Sequence, residues 1–153
     1  QRRPATEKYE VLMKILLAVD GSAFTTKALD YVAANRAMFV EGHELILVHV
    51  CPGIPGHVAR HVSKEVVQDY YSEEQAKVLE PIKSQLAERS ISNFKVDSRH
   101  GHAPEEIIKA AADHGAGLIV MGTHGHGIFG RAIMGSVATK VIAESKTAVL
   151  LVK

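Results

Sequence analysis

Short, unbroken apolar runs alternate along this chain with longer stretches in which apolar residues recur at helical spacing. Residues 14–19 (KILLAV) are apolar almost throughout and end in Asp20-Gly21-Ser22, as expected of a strand buried on both faces of a parallel sheet. A helix is predicted next, capped by Ser22, with Ala28, Leu29, Val32 and Ala33 on one face and Gly42 breaking the pattern. Residues 44–50 (ELILVHV) read as a second buried strand, closed by Cys51-Pro52-Gly53. Gly, Pro and His then crowd residues 54–63, which predicts a mobile loop. Helical spacing resumes to about residue 89 through Val66, Val67, Tyr70, Val78, Leu79, Ile82 and Leu86. Pro81 inside it predicts a kink, a break or two abutting helices.

Residues 94–99 alternate more weakly, which suits an edge strand. Gly101-His102-Ala103-Pro104-Glu105-Glu106 is a strong helix start, with proline near the first helical position and carboxylates in the first turn. Gly115 should stop that helix. Residues 117–121 (GLIVM) form the next buried strand, and a glycine-rich loop follows. Ser136 opens a last helix to about Ser145, and residues 148–152 (AVLLV) end the chain as a strand. Strands alternating with helices argue for a parallel α/β sheet with helices on both faces. In such sheets ligands bind beyond the carboxyl ends of the strands, where Asp20 and Gly122 stand.

Composition narrows the class. The 153 residues suit one domain, able to bury roughly two thirds of its unfolded surface without disulfides or a structural metal. Residues 11–153 are its expected span, after a poorly ordered segment over 1–10, whose Arg-Arg-Pro opening without an initiator Met suggests processing or an artificial boundary. A hydrophobic fraction of 46%, 23% charged residues and a net charge of +1 argue against disorder and give no electrostatic cause for nucleic-acid binding. Aromatics are sparse and Trp is absent, so stacking platforms for single strands are not expected either. Cys51 is the sole cysteine, which excludes an intrachain disulfide and fits a reducing, cytoplasmic setting. No apolar run approaches the roughly 20 residues of a membrane-spanning helix, and the polar start is not secretory.

The loop after the fourth strand carries the most chemistry. Gly125-His-Gly127-Ile-Phe-Gly130 spells a dinucleotide fingerprint, but that pattern needs an acidic residue about 20 positions on, and residues 148–152 contain none. Gly125, Gly130 and Arg131-Ala132 fall one step from a phosphate-binding P-loop, which requires Lys followed by Ser or Thr. Arg131 retains the charge to neutralise a phosphate. The wider spacing Gly122-x2-Gly125-x9-Gly135-Ser136 lets backbone approach a sugar and phosphate and presents amides at a helix N-terminus. The alternative is that these glycines serve turns alone, with Ser136 a helix N-cap and Asp20 a turn residue.

With that spacing the chain resembles the universal stress protein family, specifically its ATP-binding branch. The family's Gly-x2-Gly-x9-Gly-Ser/Thr motif falls on Gly122, Gly125, Gly135 and Ser136. Leu17-Ala-Val-Asp20-Gly-Ser22, Leu47-Val-His49-Val50 and Gly101-His-Ala-Pro104 extend the likeness over nearly the whole chain. The resemblance implies a five-stranded, doubly wound, Rossmann-like three-layer α/β sandwich in strand order 3-2-1-4-5. It implies an adenine nucleotide, ATP with or without Mg2+, lying across the sheet. Asp20 and the neighbouring backbone at Val19 would meet the adenine and ribose region, Val50 or its neighbours would wall the base, and Gly122 would lie under the ribose, with Met121 also at the nucleotide site. Gly125, Gly135, Ser136 and Val137 would hold phosphates. It also implies a homodimer through the last strand, Ala148, Val149, Leu150, Leu151 and Val152, although this chain has Thr147-Ala148 where members often carry a proline.

Nine histidines invite a metal hypothesis, yet His57 and His61 lack the further converging ligands zinc requires. His124 and His126 flank Gly125 and fit better beside phosphate. Ser22, Ser136 and Ser145 lack a nucleophile setting, so catalysis is not the default. Three functions remain open: a nucleotide-binding regulator, a slow ATP hydrolase or phosphotransferase using the same site, and a dimerisation module without nucleotide.

Overall fold

Five parallel strands form one sheet in a computed structural model that describes residues 12–126 and 134–153. They are β1 (Lys14–Ala18), β2 (Glu44–Cys51), β3 (Phe94–His100), β4 (Leu118–Gly122) and β5 (Ala148–Val152), in the order β3-β2-β1-β4-β5. The apolar runs explain the sheet. Alternate residues of β1 enter two different cores, because both faces are covered. Ile15, Leu17 and Val19 pack with Ala28, Leu29, Val32, Leu79 and Ile82 on one face, and Leu16 and Ala18 pack with Ile107, Ala111 and Val141 on the other. Register is fixed by this pattern: Leu16 stands beside Ile46 of β2 and Ile119 of β4.

Among the described residues six helices complete the layers: α1 (Ala23–Ala34), α2 (Arg36–Phe39), α3 (Gly56–Ala59), α4 (Lys64–Glu88), α5 (Ala103–His114) and α6 (Ser136–Glu144). Ser22 caps α1 by accepting from Thr25 N at 3.4 Å. Pro104 in the first turn, Glu105 and Glu106 beside it, and Gly115 at φ 64° bound α5 as its sequence requires.

Three expectations need correction. The helix after Ser22 does not run on to Gly42; it ends at Asn35, whose Nδ2 donates to Tyr31 O, and the separate turn α2 follows. Residues 54–63 are not wholly loop, since α3 lies within them. Pro81 does not split its helix. It lies exposed within an α4 that runs unbroken from Lys64 to Glu88, so of the outcomes expected there the break and the abutting helices are ruled out. The expected disorder of residues 1–10 concerns positions outside the described residues. Among the described residues, no helix is long and apolar enough to cross a membrane.

β1 lies at the centre, with β2 on one side and β4 on the other. The chain winds outward in opposite directions from this pair, so the carboxyl ends of β1 and β4 flank the crevice at the switch of strand order.

Candidate functional site

Asp20 leaves β1 and is fixed at once by local bonds. Gly21, at φ 78°, turns the chain so that Ser22 N donates to Asp20 Oδ1 at 2.9 Å. Thr25, one turn into α1 and only 3% exposed, donates from Oγ1 to the same oxygen at 2.8 Å and accepts from Asp20 N at 3.0 Å. These bonds engage Oδ1 and aim Oδ2 at Gly125: a Cβ on Gly125 would stand 2.6 Å from Oδ2. Glycine there lets the loop close on the carboxylate.

The second glycine of the motif has a different constraint. A Cβ on Gly122 would meet Phe24 Cβ at 2.6 Å and Phe24 O at 3.1 Å, so α1 packs directly on the end of β4. Thr123 then anchors the loop: its N–H donates to Val152 O at 3.0 Å, and its carbonyl accepts from Gly135 N at 2.7 Å. Both ends of the loop are thereby joined. Nε2–H of His126 donates to Asp20 O at 2.6 Å, and the His124 ring lies 4.8 Å from that of Phe24.

Gly135, not Ser136, is the N-cap of α6, and no side chain caps the helix. Ser136 is its exposed first residue, so its hydroxyl is not engaged as the cap that the turn-only alternative supposed. Ser136, Val137 and Ala138, in the first turn that no side chain caps, line the crevice.

Val19, Asp20, Val50, Met121, Gly122, Gly125, Gly135, Ser136 and Val137 line one cavity of about 340 Å3. Arg131, the remaining candidate, lies outside the described residues, as do Gly127 and Gly130. His124 and His126, expected beside phosphate, line the cavity too, and it takes walls that the sequence did not single out: Ala18, Thr25, Val48, Ala103, Ile107 and Ala138. Apolar walls with a few convergent polar groups, at this volume, are what small-molecule sites have. His57 and His61 stand exposed elsewhere, and among the described residues no three His, Cys, Asp or Glu side chains gather as metal ligands.

His49, on β2 near Asp20, is 6% exposed and its Nδ1 has no hydrogen-bond partner. Burial pushes its pKa below the usual histidine value, with the Asp20 charge opposing.

The sequence profile of the universal stress protein family matches residues 12–153. The chain belongs to the universal stress protein family. Universal stress protein YxiE of Bacillus subtilis is 31% identical over 149 residues, covering 92% of this chain and 98% of its own. Universal stress protein MJ0577 of Methanocaldococcus jannaschii is 31% identical over 157 residues, 92% of this chain and 94% of its own. The solved MJ0577 structure superposes with a TM-score of 0.73 at 33% identity, covering 94% of this chain and 96% of that one. A universal stress protein of Archaeoglobus fulgidus, solved in complex with dAMP, shares the fold at a TM-score of 0.61 and 22% identity, covering 94% and 99%.

Proposed function

We propose that this universal stress protein binds ATP with Mg2+ at the crevice between β1 and β4, as a regulatory, stress-responsive homodimer of the cytoplasm whose single domain spans residues 11–153. One observation carries the reading: Asp20 and the glycine loop, 105 positions apart, meet around a single cavity, with Gly125 bare against the Asp20 carboxylate. Val48, Val50, Ile107 and Met121 suit the faces of an adenine ring, and Asp20 Oδ2 would accept from the nucleoside. The uncapped amides at Ser136 and Val137 suit phosphate, since unpaired N–H groups and the helix dipole both favour an anion there. Arg131 would add charge from the same loop. The dAMP complex of the A. fulgidus relative supports an adenine nucleotide on this fold.

The dimer reading rests on β5. Among the described residues it pairs only with β4 and ends the sheet, leaving an apolar strand edge that a second copy of Ala148–Val152 would cover. Residues 51–63, which follow β2 at the crevice, are the segment expected to respond when nucleotide enters.

Titration calorimetry with ATP and Mg2+ tests the function. One nucleotide per chain is expected, weakened by Asp20→Ala; a wild-type chain that takes up no heat at millimolar ATP would refute it.

A further inference from the structure

A second cavity of about 420 Å3 adjoins the first, between the end of β2 and the starts of α5 and α6. Val50, Ala103, Ser136 and Val137 line both, so the two cavities meet at those residues. Its chemistry differs: Pro52 and Pro104 give it flat apolar walls, His102 an imidazole and Lys140 an ammonium, and no carboxylate is in the lining among the described residues. Lys140 stands four residues after Ser136 on the same side of α6. Its Nζ is 3.7 Å from Glu105 Oε1, wider than a hydrogen bond, so its donors stay available beside the cavity. His102 begins α5 without capping it by its side chain, and its Nδ1 is 3.6 Å from the same carboxylate. Proline and imidazole faces receive a planar ring, and an ammonium receives a phosphate.

We propose that the joined cavities accept a dinucleotide, with a second nucleoside seated against Pro52, His102 and Pro104 and with Lys140 on the connecting phosphates. The inference rests on the nucleotide reading above and extends it: a phosphate chain held at Ser136 and Val137 lies on the boundary that both cavities share. Linking the two halves makes the second contact intramolecular, which raises affinity over a mononucleotide.

Titration of the full chain with ATP and with diadenosine tri-, tetra- and pentaphosphate tests this. At least one dinucleotide should bind about tenfold tighter than ATP. The double change Lys140→Ala with His102→Ala should remove that preference while leaving ATP affinity within about threefold, since neither residue lines the first cavity. Melting temperatures of both proteins confirm that the comparison concerns binding. If ATP binds and no dinucleotide gains over it, or if the gain survives the double change, the second-nucleoside site is overturned and the ATP reading stands. If neither ATP nor any dinucleotide binds, both fall together.

Discussion

Replacing Gly125 by alanine tests the closest approach in the site. The new Cβ would lie 2.6 Å from Asp20 Oδ2, whereas ordinary contact begins at 3.4 Å. A flexible side chain would swing away cheaply, but this carboxylate is short and held through Oδ1 by Ser22 N at 2.9 Å and Thr25 Oγ1 at 2.8 Å. Making room means stretching those bonds or pushing the loop off Asp20. Hydrogen bonds to a charged group contribute about 1.5–3 kcal/mol each, so a partial loss of two costs about 1–3 kcal/mol, roughly 5- to 150-fold in ATP affinity. The cause is isolated by a double-mutant cycle with Asp20→Ala, measured by urea unfolding and by ATP calorimetry. Without the carboxylate, Gly125→Ala should cost almost nothing further. Additive penalties, or a Gly125→Ala protein that binds ATP within threefold of wild type, would refute the argument.

Other changes separate packing from binding. Gly122→Ala drives a methyl into Phe24 Cβ and its carbonyl, and overpacking of that kind should lower stability by about 1–3 kcal/mol, read by urea unfolding whether or not nucleotide is present. His49 has a depressed folded pKa, so its neutral ring favours the fold above the unfolded value of 6.5, and that contribution is lost as pH falls through the folded pKa. His49→Phe should therefore flatten the decline of stability between pH 7 and 5; an unchanged decline would count against burial as the cause. Leu150→Glu, at the middle of β5, should place like charges at a two-fold contact and convert dimer to monomer in sedimentation experiments; a wild-type monomer at micromolar concentration would remove the β5 interface.

The strands were legible because burial on both sides leaves an unbroken apolar run, and β1, β2, β4 and β5 each carry one. The glycine spacing was legible because four backbone positions stand at fixed offsets. Thr25 and Thr123 left no such mark. Each is an ordinary hydroxyl residue whose role arises only when the chain returns to it, Thr25 against Asp20 and Thr123 between β5 and Gly135. The sequence likewise offered Gly122 as room for a sugar, while packing against Phe24 constrains it on the other side. Pro81 misled only towards a break: α4 runs unbroken through it with the proline exposed, and sequence spacing alone did not identify that side.

The central claim concerns place as much as affinity. An amide proton–nitrogen NMR titration with ATP and Mg2+ tests it most directly, because it reports which residues respond. Saturable shifts concentrated at Val19, Asp20, Gly125, Gly135, Ser136 and Val137 are the predicted result. Binding without shifts at both Asp20 and the start of α6, or with shifts confined to another surface, would contradict the account.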